Sequence, residues 1–596
     1  MTETVAAIVA GHRSGKVAIA DTVARTFQRM RDAGDPAIFI ALREEATVQA
    51  EARALAGRDP QYLPLYGVPV AVKDNIDVAG LPTTAACPAF AFSPDADATA
   101  VRRLREAGAL IVGKTNLDQF ATGLVGMRSP YGMPRNPLRS DLVSGGSSSG
   151  SAVAVARGIV PLALGTDTAG SGRVPAGLNN IVGLKPSLGL VSCAGVVPAC
   201  RSLDCVSVFA LTVSDAFAAL SVIAGPDPRD AFSRAIPLGL LTAAPPHPRI
   251  GVPHTADRIF SGDAGTKAAF TTAEQLTRDL GAAIVEVDLR PLFETAALLY
   301  EGAWIAERTA AVGDFIAAHP DDVHPITRAI ISQGTAKSAV DTFRGFYRLA
   351  ELRAAAAKAL AGLDALMVPT APKPCTVAEV EADPIGANSR LGTYTNFVNL
   401  LDLAGIAVPI ALTADNTPYG ITLLGPAGRD ASLASLGAAL HARAGLPLGA
   451  LACPQPPLVL PTAGLQPDEI AIAVVGAHMS GMPLNTELQL LSARFLEATA
   501  TADDYRLLAL AGTKPPKPGL LRVADGTCKA IELEVWALST ESFGGFVASV
   551  PAPLSIGSIR LRDGRAVKGF LVEGAAVTDA RDISEFGGWR AFLGAA

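Results

Sequence analysis

A lysine and two serines, residue types that can carry out acyl transfer, lie next to apolar runs of the sequence. Lys73 closes the run "GVPVAVK", Ser147 lies in the glycine- and serine-rich segment "SGGSSSGSAVAVARG", and Ser171 lies among glycines in "LALGTDTAGSGRVPAG". A lysine held away from water has a lowered pKa and can be a neutral base near pH 7. A serine hydroxyl becomes a nucleophile when such a base lies within hydrogen-bond reach.

Each segment also has a plain structural interpretation. Lys73 can reach the surface, because a lysine stem packs on apolar residues while its ammonium stays in water. The segment from Ser144 to Gly158 has the composition of a flexible linker. It runs directly into apolar sequence, however, where glycines before a helix allow a tight turn and expose backbone N–H groups. Ser171 fits a surface turn or a nucleophile, so the residues alone leave both interpretations open.

In their order along the chain, these segments resemble the amidase signature family, and "GLKPSLGLVS", "LMVPTAP" and "YGITLLG" extend the resemblance through the first domain. The resemblance implies a catalytic triad without histidine. In it Ser171 is the nucleophile, Ser147 is the bridging serine after a cis peptide bond at Gly146–Ser147, and Lys73 is the general base. The implied oxyanion hole consists of the backbone N–H groups of Thr168, Ala169, Gly170 and Ser171.

Two variant motifs resemble the allophanate hydrolase branch of this family. The usual "GTDTGGSIR" reads "GTDTAGSGR" here, the usual "GGSSGGSA" reads "GGSSSGSA", and the C-terminal "AIAVVGAHMSGMPLN" is also similar to that branch. The resemblance implies hydrolysis of allophanate (urea-1-carboxylate) to ammonia and carbon dioxide in urea degradation, through an acyl-enzyme and with no cofactor or metal. Two alternatives stay open: an amidase for short acid amides such as malonamate, and an amidotransferase-type subunit.

Allophanate has a carboxylate next to its amide, and arginine binds a carboxylate through two parallel hydrogen bonds. The segment "LLYEGAWIAER" contains Tyr300 and Arg308, which resemble the positions that bind substrate in the allophanate hydrolases. We expect one helix here, with the two residues about two turns apart. The alternative is an arginine paired with Glu301 or Glu307 beside a core tyrosine.

A further segment, "DQFATGLVGMRSPYG", resembles one that lines the site in the family. Its Gly123 and Gly126 lack side chains and therefore allow close approach of a small ligand. Near the nucleophile, we expect Arg173 to support Asp167 or the turn and not to touch the substrate.

The motif segments lie in a part of the chain where short β-rich runs alternate with alanine-rich helical patterns. This alternation indicates an α/β fold. The resemblance implies a mixed central sheet covered by helices. We expect this amidase signature domain over residues 1–445, a proline-rich linker over 446–467 and a smaller β-rich domain over 468–596.

The C-terminal domain resembles a γ-glutamyl-cyclotransferase-like fold, whose ligand pocket would contain His478. A lone histidine after an apolar strand is otherwise a structural residue. The domain's role is either to process the first hydrolysis product, which must lose carbon dioxide, or to make oligomer contacts.

The amino-acid composition indicates which binding partners and which cellular location to expect. The net charge is -6 over 596 residues and no basic stripe occurs, which argues against a nucleic-acid partner. The 7 cysteines form no CxxC pair and the N-terminus lacks a signal-peptide core, which predicts a cytoplasmic protein. Prolines interrupt the longest uncharged run, so we expect no membrane association. We also expect a small-molecule substrate, a homodimer and association with a urea carboxylase.

Overall fold

The computed structural model describes residues 4–460, 464–523 and 528–595. Strands from the first 426 residues form one 11-stranded sheet, and strands from Glu469 onward form sheets of five and three strands. This confirms the predicted α/β fold with a large mixed sheet and a smaller, β-rich C-terminal part. The γ-glutamyl-cyclotransferase-like resemblance and the domain limits stay predictions.

The large sheet contains eleven strands, which are β1 (Phe39–Leu42), β2 (Pro69–Lys73), β3 (Leu110–Thr115), β4 (Leu162–Asp167), β5 (Val182–Lys185), β6 (Cys205–Ala210), β7 (Arg249–Pro253), β8 (Ala283–Val287), β9 (Ala365–Pro369), β10 (Leu403–Leu412) and β11 (Pro418–Pro426). Their order in the sheet is β1-β3-β2-β4-β6-β5-β10-β11-β9-β7-β8. The sheet is mixed, since β2 runs parallel to β3 and β4 while β4 and β6 are antiparallel.

Helices from the same part of the chain are α1 (Val5–Arg13), α2 (Ile19–Ala33), α3 (Glu45–Ala56), α4 (Thr99–Glu106), α5 (Ser149–Ala156), α6 (Val174–Leu178), α7 (Val213–Ile223), α8 (Ala264–Asp279), α9 (Arg290–Glu301), α10 (Trp304–Ala318), α11 (Pro325–Ser332), α12 (Ala339–Ala359), α13 (Val377–Ala382), α14 (Gly386–Leu391) and α15 (Asp430–Ala444). Among the described residues, no helix is both long and apolar enough to cross a membrane.

Helices cover both faces of the central strands. Along β2, Val70 and Val72 belong to one hydrophobic cluster, which includes helix α7, whereas Ala71 belongs to a second cluster, which includes helix α5. Successive side chains of a strand point to opposite faces, so both faces of β2 are buried. The end of such a strand carries its last side chain into the interior, which is where Lys73 lies.

The C-terminal part has its own core. Its elements are β12 (Glu469–Val474), α16 (Asn485–Leu490), β13 (Arg494–Ala500), β14 (Tyr505–Ala509), β15 (Pro518–Arg522), β16 (Glu532–Ser539), α17 (Thr540–Ala548), β17 (Leu554–Arg560), β18 (Ala566–Val572), β19 (Arg581–Asp582) and α18 (Trp589–Ala595). Their sheets have the orders β13-β16-β12-β18-β17 and β15-β14-β19. The predicted linker before them includes 461–463, which lie outside the described residues, but its Leu448 is buried in the cluster of helix α5.

The first turn of α5 packs so closely on its neighbours that it tolerates no side chain. A Cβ added to Gly150 would lie 2.3 Å from the Ile38 carbonyl oxygen and 2.6 Å from the Asn116 nitrogen. We expect Gly150→Ala to lower the free energy of unfolding by at least about 2 kcal/mol, because overpacking against backbone forces the backbone to move. Denaturant unfolding of the full chain measures this.

The matched control is Gly11→Ala in α1, where the added Cβ meets its nearest neighbour, Val17 Cγ2, at 3.5 Å. Alanine favours a helix interior over glycine by up to about 1 kcal/mol, so this variant should be neutral or slightly stabilised. Equal stability of the two variants would contradict the packing argument.

Candidate active site

Lys73 lies fully buried at the carboxyl end of β2. Its Nζ donates hydrogen bonds to Ser147 Oγ at 2.7 Å and to Thr166 Oγ1 at 2.8 Å. The strand order explains the contacts, because β2 is hydrogen-bonded to β4, which carries Thr166 near its end. The surface-reaching interpretation of Lys73 is therefore wrong.

Burial also changes the chemistry of this amine. Loss of solvation lowers the pKa of Lys73 to about 7, although the carboxylates of Asp118, Asp167 and Asp204 favour the charged form. Desolvation dominates because none of these carboxylates forms an ion pair with Nζ. A large fraction of this lysine is therefore neutral near pH 7 and able to accept a proton.

The glycine- and serine-rich segment is an ordered part of the interior and not a linker. Ser147 is fully buried, follows a cis peptide bond to Gly146, and precedes helix α5. Its carbonyl oxygen accepts a hydrogen bond from the Asp118 N–H at 3.1 Å, and the Gly146 N–H donates to the Leu124 carbonyl at 2.8 Å. These bonds fix the segment against the loop that contains residues 118–126.

Gly123 and Gly126, which the sequence places at the site, lie on this loop. A Cβ on Gly123 would lie 2.5 Å from Asp118 Oδ2, and a Cβ on Gly126 would lie 2.6 Å from the Gly145 carbonyl oxygen. Gly126 also has a φ of +74°, which disfavours other residues. Gly126 is therefore required for the loop to approach the serine segment, and Gly123 leaves room for the Asp118 side chain of its own loop.

The turn that carries Ser171 is built around one buried carboxylate. Asp167 accepts hydrogen bonds from the N–H groups of Gly170 and Gly172, each at 3.0 Å. Arg173 donates to both oxygens of Asp167, from Nε at 2.9 Å and from Nη2 at 3.0 Å. The expectation that Arg173 supports Asp167 is confirmed. Although burial opposes the shift, the pairing with Arg173 lowers the pKa of Asp167.

The predicted oxyanion hole needs one correction. The Gly170 N–H is already bonded to Asp167. Across the described part of the chain, the N–H groups of Thr168, Ala169 and Ser171 have no hydrogen-bond partner, so these are the donors available to an oxyanion. Thr168 is fixed separately, because its hydroxyl donates to the Asp204 carboxylate.

Ser171 itself is almost buried, with 3% of its surface exposed. Among the described residues its hydroxyl has no hydrogen-bond partner, so the bond from Ser171 to Ser147 that the predicted triad requires is not formed in this structure. Such bonds are often long without substrate and tighten when substrate binds. The structure thus brings Lys73 and Ser147 into direct contact and leaves the Ser171 hydroxyl unengaged.

Tyr300 and Arg308 do not share a helix, contrary to the expectation. Helix α9 ends at Glu301 and α10 begins at Trp304, because Gly302 adopts an extended backbone. On one straight helix, eight residues would separate the two by about 12 Å along the axis. The break instead folds the Arg308 guanidinium over the Tyr300 ring, with 5.3 Å between the charge centre and the ring centre.

Arg308 is a buried cation that lacks a carboxylate partner in the described residues. It is 1% exposed, its Nη1 donates to Thr122 Oγ1 at 3.2 Å, and its Nε has no partner. Glu307, the alternative partner, instead accepts hydrogen bonds from the N–H and hydroxyl of Ser202. Burying an unpaired charge is costly, so the geometry is suited to a bound anion.

The reactive turn lies next to this cation. Tyr300 packs against a hydrophobic cluster that contains Ala169, two residues before Ser171, and Trp304 from α10. Burial raises the pKa of Asp204, the residue that fixes Thr168, to about 6, and the charge of Arg308 is among the influences that oppose this rise. The turn of Ser171 and the Tyr300–Arg308 pair are therefore neighbours in the fold.

Sequence reasoning missed three residues of this site. Thr166 accepts from Lys73 Nζ, Asp118 accepts from the N–H groups of Gly126 and Arg128, and the Arg128 side chain is buried. The sequence signal for Arg128 is its position in a glycine-rich apolar segment, which predicts burial of the arginine.

Within the described ranges, no group of three or more His, Cys, Asp or Glu side chains could hold a metal ion.

His478 lies in the C-terminal part, in the turn after β12. It lines a cavity of about 490 Å³ together with Glu487 and Lys517. Its Nε2 is 2.9 Å from Glu487 Oε2, and its ring stacks on Phe570 with 5.0 Å between ring centres. Burial lowers the pKa of His478 while Glu487 opposes the shift.

Comparison with known proteins identifies the two parts of the chain. The sequence profile of the Amidase family matches residues 21–434. The chain belongs to the amidase family. A second profile, the allophanate hydrolase C-terminal domain, matches residues 470–594. The resemblance predicted from the three catalytic-type segments is thereby confirmed.

Three relatives illustrate the similarity. The urea amidolyase of Lachancea kluyveri is 45% identical over 94% of this chain, and the chain spans 31% of that protein's length. The crystal structure of Kluyveromyces lactis allophanate hydrolase is 41% identical, with a TM-score of 0.76 and 99% of both chains covered. A glutamyl-tRNA(Gln) amidotransferase subunit of Natronomonas pharaonis is 38% identical over 63% of this chain and 96% of its own length.

The lowered pKa of Lys73 predicts how the reactivity of Ser171 depends on pH. If neutral Lys73 activates Ser171 through Ser147, covalent labelling by a small phosphonofluoridate should speed up as the pH rises through about 7, where the lysine loses its proton. Below that pKa the rate should fall about tenfold per pH unit. Intact-mass spectrometry against time measures the rate.

Lys73→Met is the matched variant, since it keeps an unbranched apolar side chain, shorter by the terminal atom, without the amine. We expect its labelling to be slow at every pH. A rate for the unmodified protein that stays flat from acid to alkaline pH, or label found on a residue other than Ser171, would contradict the assignment.

Proposed function

We propose that the chain hydrolyses allophanate to ammonia and carbon dioxide. The observation that carries the proposal is the buried, unpaired Arg308 beside Tyr300, next to the turn of Ser171. A small amide with an adjacent carboxylate satisfies this cation and places its amide carbonyl near the serine. The similarity to the Kluyveromyces lactis allophanate hydrolase over 99% of both chains supports the same substrate.

The proposed first step is acylation of Ser171. The Ser171 oxygen attacks the urea carbonyl carbon, its proton passes to Ser147, and the Ser147 proton passes to neutral Lys73. The oxyanion receives hydrogen bonds from the N–H groups of Thr168, Ala169 and Ser171. Loss of one such donor typically costs about 10²–10³ in rate.

Collapse of the tetrahedral intermediate releases the first ammonia. The proton held by Lys73 returns through Ser147 to the leaving nitrogen, and the C–N bond breaks. Water then attacks the acyl-enzyme, gives one proton to the same relay and displaces Ser171. The products of this step are ammonia and N-carboxycarbamate, in which the former urea carbonyl has become a second carboxylate.

The two alternatives differ in how far the observations separate them from allophanate hydrolysis. A malonamate-type amidase would need the same cation, so only kinetics separates it from the leading proposal. The amidotransferase relative matches 63% of this chain, and the C-terminal part instead matches the allophanate hydrolase C-terminal domain. That second match favours allophanate.

For the C-terminal part, we propose that His478 promotes loss of carbon dioxide from N-carboxycarbamate. His478, Glu487 and Lys517 line one cavity, so a lysine cation is available to a dicarboxylate beside a histidine that can exchange a proton. Cleavage of a C–N bond with proton delivery to nitrogen gives carbon dioxide and carbamate. Carbamate then yields the second ammonia and carbon dioxide.

The reaction places the chain after an enzyme that carboxylates urea, because allophanate is carboxylated urea. We propose such a urea carboxylase as the partner, and the much longer urea amidolyase relative is consistent with a functional link. The homodimer and the cytoplasmic location stay predictions.

Ser171→Ala tests the first reaction. We expect the purified chain to release ammonia from allophanate, and the variant to be slower by at least about 10⁴-fold, as for other nucleophiles of this kind. Coupled ammonia assays measure both. Ser221→Ala, a serine on α7 whose hydroxyl donates to the Phe217 carbonyl of the same helix, should keep full activity.

Substrate comparison separates the candidates. The value of kcat/KM should be highest for allophanate, lower for malonamate and negligible for a long-chain amide. A preference for malonamate would establish the short acid amidase instead. Activity that requires a second purified subunit would point to the amidotransferase-type alternative.

His478→Asn tests the second reaction separately. We expect the first ammonia to be released at the unchanged rate, because that step uses Ser171, while carbon dioxide and the second ammonia appear more slowly. Single-turnover measurement of ammonia and carbon dioxide resolves the steps. His319→Asn, an exposed histidine of the first domain, is the control. Unchanged release of both products in His478→Asn would remove His478 from the mechanism.

A further inference from the structure

A second arginine beside the candidate site has no role in the reaction described so far. Arg128 is 2% exposed, and its side chain donates to two neutral carbonyl oxygens, from Nη1 to Thr122 at 3.0 Å and from Nη2 to Pro384 at 3.0 Å. Among the described residues, no carboxylate forms an ion pair with it. The nearby Asp118 carboxylate is engaged by the backbone N–H groups of Gly126 and Arg128.

Arg128 and Arg308 converge on one residue. Arg128 Nη1 is bonded to the Thr122 carbonyl oxygen at 3.0 Å, and Arg308 Nη1 is bonded to the Thr122 hydroxyl at 3.2 Å. Two buried guanidinium groups are therefore bonded to the same residue in the interior. Burial and the repulsion from Arg308 both lower the pKa of Arg128, and Asp118 and Tyr300 oppose this.

Two buried cations so arranged raise the free energy of the folded protein. Each buried cation loses its hydration, and the two repel each other at low local dielectric. Neutral side chains could donate to the Thr122 and Pro384 carbonyls without this cost. The positive charge of Arg128 is thus not explained by the hydrogen bonds it makes.

The loop that holds Arg128 is fixed to the serine segment. The Asp118 N–H donates to the Ser147 carbonyl, and the Gly146 N–H donates to the Leu124 carbonyl. Gly126 approaches Gly145 so closely that a Cβ would lie 2.6 Å from its carbonyl oxygen. The charge of Arg128 is therefore held at a constant position relative to Ser147.

We propose that Arg128 is a specificity-determining residue, which adds a second buried positive charge to that of Arg308 and so favours amides that carry a carboxylate over neutral amides of the same size. This rests on the proposed function. Arg128 acts through its charge and not by direct contact. The second charge is needed in both tetrahedral intermediates, because the substrate carboxylate and the oxyanion are then both negative.

The test uses two substrates of equal size that differ in charge, malonamate and malonamide, together with allophanate and its neutral counterpart biuret. In the full chain, Arg128→Gln should lower kcat/KM for the anionic member of each pair by about 10–30-fold, as expected for a charge about 10 Å away at an effective dielectric constant of about 20. For the neutral members we expect a change within about twofold. The anionic preference should also become less sensitive to salt.

Arg128→Lys separates charge from hydrogen-bond geometry. Lysine keeps the positive charge but cannot reproduce the fork that bonds both carbonyls, so we expect it to retain most of the anionic preference. If Arg128 only fixed the loop, Arg128→Lys and Arg128→Gln would lose activity on anionic and neutral amides by the same factor. That outcome, or no change in either variant, overturns the proposal.

Binding of malonate, a dicarboxylate of the size of N-carboxycarbamate, provides a readout that needs no turnover. Calorimetry should show at least about tenfold weaker binding to Arg128→Gln than to the unmodified chain. Equal binding overturns the proposal even if activity changes. If the unmodified chain binds malonate in this Arg128-dependent way but does not hydrolyse allophanate, the proposed substrate fails while the specificity role of Arg128 stands.

Discussion

Desolvation of a single amine is the constraint on which the candidate chemistry depends. Lys73 ends a strand that is buried on both faces, so its Nζ lies in the interior and bonds to Ser147 and Thr166 instead of water. The resulting pKa of about 7 makes the neutral amine available at ordinary pH. The large sheet and the helices on its two faces exclude water from this point, and without them the lysine would be a protonated surface residue.

The turn of Ser171 shows how the same interior stabilises the opposite charge. Asp167 stays ionised because Arg173 donates to both of its oxygens and two backbone N–H groups donate as well. Removing one member of a buried pair typically costs about 3–5 kcal/mol, because the other charge remains without compensation. This pair bends the chain so that Ser171 and the N–H groups of Thr168 and Ala169 are left without partners in the described structure.

The two buried arginines near the turn of Ser171 differ from Arg173 in their partners. Arg308 and Arg128 are buried without carboxylate partners among the described residues, whereas Arg173 is paired with Asp167. Paired charges shape the turn, and unpaired charges create affinity for a ligand of opposite sign. The cavity of the C-terminal part also contains a cationic side chain, that of Lys517.

The sequence by itself determined the α/β class and the family, and it predicted Lys73, Ser147 and Ser171 as catalytic residues, because local motifs and strand ends can be recognised along the chain. It also predicted that Tyr300 and Arg308 lie close together, but on a single helix, which is wrong. Only the tertiary structure decided that Gly302 breaks the helix between them, that the Gly170 N–H is taken by Asp167, and that Arg128 shares Thr122 with Arg308. These outcomes depend on contacts between residues as far apart in sequence as Thr122 and Arg308, and local patterns contain no information on which distant group will satisfy a given donor or charge.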